Sequence, residues 1–131
     1  MKIEKILCIC GSGLLTAFTV LFGAVDYSFI FLCLCMVTDF VTGLMCGAYT
    51  KTLSSDICIK GLMKKLIILV YVMIGHHVDV LLGVDYVRTG VCYMYAIGEV
   101  LSIIENGVTL GVPIPEPIVK ALDILNGGKK E

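Results

Sequence analysis

A chain of 131 residues that is 58% hydrophobic and only 16% charged, with mean hydropathy +0.97, has the composition of a membrane protein; soluble domains carry about 25% charged residues. A net charge of −1 excludes the basic field that a nucleic-acid partner requires. Little length remains for a soluble catalytic domain, and no phosphate-binding loop, nucleophile elbow or Cys-x-x-Cys pair occurs. No enzymatic activity, cofactor or metal is therefore expected.

A bilayer core needs about 20 mostly apolar residues per helix. Residues 6–25 form an uncharged run that follows Lys2, Glu4 and Lys5. Residues 27–49 hold one charge, Asp39. Residues 66–83 hold His76, His77 and Asp79, and residues 86–104 hold Arg88 and Glu99. The expectation is an all-α membrane protein, one domain over residues 1–131. Its four transmembrane helices cover about 6–25, 27–49, 66–83 and 86–104, and a cytoplasmic tail covers 105–131. A three-span arrangement, with the first segment peripheral or removed, is the alternative. The bulky Phe22 in Phe22-Gly23-Ala24 speaks against signal cleavage.

Between these runs the spacing predicts a tight outer turn at Asp26, an inner loop over 50–65, and a second outer turn at Val84-Asp85. Pro113, Pro115 and Pro117 stop the last span. A short amphipathic helix over 118–125 follows, with Ile118, Ala121, Leu122 and Leu125 on one face, and then a solvated tail over 126–131.

With four spans and the N-terminus inside, Lys2, Lys5, Lys51, Lys60, Lys64, Lys65, Lys120, Lys129 and Lys130 all lie on the inner side. Arg88 alone lies outside. This bias predicts a multi-pass membrane protein with both termini cytoplasmic. The cysteines at 8, 10, 33, 35, 46, 58 and 92 read as small apolar packing residues, not as a disulfide framework.

Charges inside spans mark faces that must meet protein or water. Asp39, Gly43 and Gly47 recur every fourth residue and share one helix face. Gly43-x-x-x-Gly47 lets two helix backbones approach closely in lipid, either within the bundle or between copies. Arg88, Cys92, Tyr95, Glu99, Ser102 and Asn106 step by four and three, which makes one polar stripe. That stripe is either a buried seam or, with Arg88, Tyr95, Glu99, Ser102 and Asn106 turned to water, the lining of a pore between assembled chains. His76 and Asp79 form a polar cluster one turn apart at the outer end; two such groups on one helix are too few for a metal site.

Several pieces taken in order resemble the toxin-secretion/phage-lysis holin family of Gram-positive bacteria and their phages. They are Thr38-Asp39-Phe40-Val41-Thr42-Gly43, Ser54-Ser55, Gly61-Leu62-x-Lys64-Lys65, Asp79, Glu99-x-x-Ser102-x-x-Glu105-Asn106 and Gly111-Val112-Pro113-Ile114-Pro115. The resemblance runs from about residue 36 to 126. It implies a small membrane protein that accumulates harmlessly and then oligomerises into lesions. These collapse the membrane potential and release a cell-wall hydrolase (an endolysin) or a large toxin. The implied partners are other copies of the chain, the lipid bilayer and that hydrolase or toxin. Family members are often described with three spans, one fewer than the count here. A small four-helix transporter or ion channel acting as an oligomer is the alternative function.

Overall fold

The computed structural model describes residues 2–125 and 127. They form five α-helices: α1 (Lys2–Phe22), α2 (Tyr27–Tyr49), α3 (Ser55–Leu82), α4 (Val87–Thr109) and α5 (Glu116–Leu125). No strand occurs among the described residues. An all-helical chain is the expected answer to lipid, where each backbone polar group must find its partner within its own segment.

Helix ends are set by local chemistry. Asp26 caps α2 by accepting from the Phe29 backbone N–H, and Ser54 caps α3 by accepting from that of Ile57. Gly83 and Gly111 adopt the left-handed conformation that ends α3 and follows α4. These signals revise three expected boundaries. The inner loop shrinks to residues 50–54, because the Ser54 cap and the first-turn Asp56 start α3 eleven residues before position 66. α4 continues to Thr109 and stops only before Gly111 and the prolines. The short helix starts at Glu116, with Pro117 accommodated in its first turn, where no intrahelical N–H is required. The expected tail lies, apart from Gly127, outside the described residues.

α2 and α4 form the main packed pair, α3 lies against α4, and α1 touches the others only near its C-terminal end. The buried core is small. Leu32, Val72 and Cys92 are fully enclosed, joined by Phe29, Cys35, Met36, Ile68 and Ala96. Gly75 brings α3 close to α4: a Cβ there would stand 3.1 Å from the Cα of Arg88. Most large apolar side chains point outward, including Ile3, Leu7 and Leu14 of α1 and Leu81 of α3. A soluble monomer does not expose apolar surface on this scale. α1 is the extreme, with no buried residue; near its end Phe18 and Phe22 make ring contacts with Phe29, and the Phe22 carbonyl accepts from Arg88.

α1, α2 and α4 are each long and apolar enough to cross a membrane. α3 is not in that group; it carries the 66–83 segment inside a 28-residue helix, about 42 Å long.

Candidate functional site

Polar side chains gather at two levels of the bundle. One level, outer in the orientation that the lysines predict, sits where α1 ends and α2 and α4 begin. Arg88 is 6% exposed. Its Nε donates to the Phe22 carbonyl (2.6 Å), Nη2 to the Ala24 carbonyl (2.6 Å) and Nη1 to Asp26 (2.9 Å). The guanidinium also lies 5.5 Å from the centre of the Phe29 ring. Arg88 thus satisfies carbonyls at the end of α1, where a cation is favoured. Asp79 does the converse for α4. Tyr86 offers no side-chain cap there, and the Asp79 carboxylate accepts from the Val87 and Arg88 backbone N–H groups, both at 2.9 Å. His76 packs against Gly23, where a Cβ would meet its Nδ1 at 2.7 Å. Gly23 also has φ +80°, so only glycine fits without strain.

Asp26 lies outside the apolar helices. Burial pushes its carboxyl up, but the Phe29 N–H, the Ser28 hydroxyl and the Arg88 guanidinium together outweigh that and hold it below the ordinary value of 3.8.

The inner level lies within α2, α3 and α4, away from their ends. The ammonium of Lys65 donates to Asp39 at 2.7 Å and also pairs with Glu99. The three side chains are 12–17% exposed. Asn106 extends the cluster, donating to Thr42 at 3.0 Å and to Asp39 at 3.4 Å. The Cys46 thiol donates to the Asn106 carbonyl at 3.1 Å. Two carboxylates face one ammonium, so the cluster carries one negative charge when all three groups are ionised. A cavity of about 320 Å³ adjoins it, lined by Asp39, Gly43, Gly47, Lys65, Ser102 and Asn106 among others.

Each expected site residue has a definite place. Asp39, Gly43 and Gly47 face the cavity. A Cβ on Gly43 would come 3.8 Å from the Asn106 amide, and one on Gly47 would press Leu53 at 3.0 Å. In the protomer the polar stripe of α4 is divided between neighbours. Arg88 reaches the α1–α2 turn, Cys92 is in the core, Tyr95 stacks on Tyr71 of α3 at 5.7 Å, Glu99 meets Lys65, and Ser102 and Asn106 line the cavity. Asp79 is 6% exposed and caps α4, where the sequence placed it in a polar outer cluster with His76.

Sequence reasoning missed Lys65, Asp26 and Gly75. The spacing of apolar runs puts Lys65 in the inner loop, although two acids at mid-helix call for a cation and Lys65 directly precedes the apolar run. Asp26 was read only as a turn. Gly75 carried no signal beyond being a glycine within a helix.

Among the described residues, five helices without strands, three of them apolar enough to cross a membrane, define a small helical membrane protein. The profile of the bacteriophage holin family matches residues 16–127, and the chain belongs to that family. The chain is 41% identical over 116 residues to an uncharacterized 14.9 kDa protein in the nagH 3′ region of Clostridium perfringens, covering 87% of this chain and 88% of that one. It is 36% identical over 132 residues to an uncharacterized Listeria innocua protein, covering 98% and 94%. With the uncharacterized protein YqxH of Bacillus subtilis the identity is 32% over 112 residues, covering 85% and 79%. No solved structure matches the chain.

Proposed function

We propose that the protein is a holin. It accumulates in the cytoplasmic membrane as a four-span bundle with both termini inside, associates with further copies, and opens lesions. These dissipate the membrane potential and let a cell-wall hydrolase or large toxin cross. Family membership sets the class, and the Asp39–Lys65–Glu99 cluster is the observation that carries the mechanism.

Helix direction supports four spans. Arg88 and Asp26 join the starts of α4 and α2, while Asn106 and Cys46 join their ends. α2 and α4 therefore run parallel. If both cross the bilayer, they cross in the same direction, and α3 must carry the chain back between them. The lysine bias then puts the α2–α3 loop inside.

A charged side chain at mid-span costs about 2.5–3.5 kcal/mol on the insertion scale. Pairing with Lys65 offsets this for one acid and leaves one negative charge over. With both acids ionised, resting protomers hold that excess charge in their seam. An assembly that admits water hydrates it, so opening relieves a cost that the closed bundle carries. The membrane field acts on the same charge with about 2.3 kcal/mol per 100 mV for a full crossing, so depolarisation shifts the balance by whatever fraction of that crossing opening involves.

The cavity beside Asp39, which extends to the α2–α3 loop at Thr52 and Leu53, favours a second reading, a small transporter or channel with a binding site there. One experiment separates the two. The protein is induced in bacteria while membrane potential and release of a co-expressed cytoplasmic hydrolase are followed. A delayed, abrupt collapse with release of folded hydrolase supports the holin; graded ion or solute flux without protein release supports the transporter.

A further inference from the structure

Lys64 and Lys65 are neighbours in sequence, but they face different ways and do different work. Lys65 turns inward to Asp39 and Glu99. Lys64 is exposed, as is Lys60 one turn earlier, and neither forms an ion pair with a described residue. Both sit at the mouth of a second groove, of about 420 Å³, between α3 and α4. Beyond the lysines its walls are apolar: Ile67, Ile68 and Tyr71 from α3, and Tyr95 from α4. The stacked rings of Tyr71 and Tyr95 close its far end.

The geometry points to a binding site for an anionic phospholipid of the inner leaflet. The phosphate sits between Lys60 and Lys64, and one acyl chain lies along Ile67 and Ile68 to the tyrosine pair. The two lysines are one turn apart, about 6 Å along the axis. Their ammonium groups therefore converge on one headgroup while the stems lie on apolar surface. From Lys64 to Tyr71 the helix climbs about 10 Å, which takes the groove from the interface into hydrocarbon, where an acyl chain is the available occupant. Inner leaflets carry the anionic lipid, and a lysine near that surface gains about fivefold in affinity from it. This site rests on the proposed orientation, with the start of α3 inside. It adds a lipid requirement to the holin reading: the bound lipid would wedge α3 to α4 beside the charged cluster.

The chain contains no tryptophan, so Tyr71→Trp supplies a single reporter at the end of the groove. Full-length protein carrying it is reconstituted in phosphatidylcholine vesicles containing brominated phosphatidylglycerol or brominated phosphatidylcholine, and quenching is measured. Stronger quenching by the phosphatidylglycerol is expected. The preference should fall about fivefold for Lys60→Gln or Lys64→Gln, be restored by arginine at either position, and survive in Lys51→Gln, whose lysine lies off the groove. Equal quenching by both lipids, or an equal loss in Lys51→Gln, overturns the site. Circular dichroism of each variant confirms that the helices persist. Vesicle binding does not depend on cellular orientation. Labelling of the α2–α3 loop from outside whole cells would therefore sink the topology separately, and hydrolase release tests the holin reading on its own.

Discussion

The two polar levels of the bundle bury charge by different means. At the outer level the charges are spent on helix ends. Arg88 serves carbonyls at the end of α1, Asp79 serves N–H groups at the start of α4, and Asp26 serves the start of α2. Helix termini carry partial charges of their own, so Asp79 is satisfied without a cation. At the inner level the charges sit at mid-helix, where the backbone is already paired. Side chains must then satisfy side chains, and two acids share one lysine. The outer level is scaffold by this logic. The inner level leaves two acids on one lysine, and on the proposed mechanism it is where a change of water or voltage acts.

The largest effect should come from Lys65→Met. Removing the ammonium leaves two carboxylates facing each other in an apolar seam, and breaking a buried pair in this way costs about 3–5 kcal/mol. The variant should accumulate poorly or trigger early, read as membrane-fraction yield and time to potential collapse. Adding Asp39→Asn and Glu99→Gln should restore accumulation. If the triple variant then lyses on the original schedule, the cluster is structural and not part of the trigger. Arg88→Leu comes next. It strands Asp26 and two carbonyls at the α1–α2 turn and should cost about 2–4 kcal/mol. Its signature differs: limited proteolysis should show α1 released while α2–α4 stays protected. Release of α2–α4 together with α1 would show that the outer level holds the whole bundle.

What the sequence conveyed follows the same division. Apolar runs bounded by turn residues revealed α2 almost to the residue, because nothing competes with the helix in lipid. The acids at 39, 79 and 99 were visible as anomalies, since each is the one acid in its apolar run. Their partners were not visible. Asp79 finds backbone N–H groups eight and nine residues away, across a turn, and such groups leave no mark in side-chain pattern. Lys65 looked like one more topogenic lysine, because its distinction from Lys64 is a rotation of about 100° about the helix axis. Gly75 was illegible for a related reason. A close helix crossing depends on the partner's backbone, here that of Arg88.

Two glycines, Gly75 against the outer-level Arg88 and Gly43 at the inner cavity, test whether the inner level also serves contact between copies. Gly75→Ala puts a Cβ 3.1 Å from the Cα and 3.4 Å from the N of Arg88. Backbone cannot yield as a side chain does, so α3 and α4 must part, at about 1–3 kcal/mol. Gly43→Ala meets only the Asn106 amide, at an ordinary 3.8 Å, and should change thermal stability in detergent by less than about 0.5 kcal/mol. A shift of lysis timing in Gly43→Ala without loss of stability would mean that this face meets another copy. Unchanged timing would confine it to the protomer.

The smallest effect separates the two levels by pH. Asp26 is held below 3.8 in the fold, with burial opposed and outweighed by the Phe29 N–H, Ser28 and Arg88. A depressed folded value means that its contribution is fully present above 3.8 and is lost as pH falls through the lower folded value. Outer acidification from pH 7 to 5 should therefore leave the Arg88 clamp intact, and loosening of α1 should begin only below about pH 4. The side chain is 44% exposed, so the ion pair is worth at most about 0.2–1 kcal/mol. Asp26→Asn keeps an N-cap, because Asn caps as well as Asp, but removes the charge. It should lower the thermal midpoint slightly at pH 7 and abolish the loosening below pH 4. If α1 instead loosens between pH 7 and 5 in both proteins, a group other than Asp26 governs the outer level.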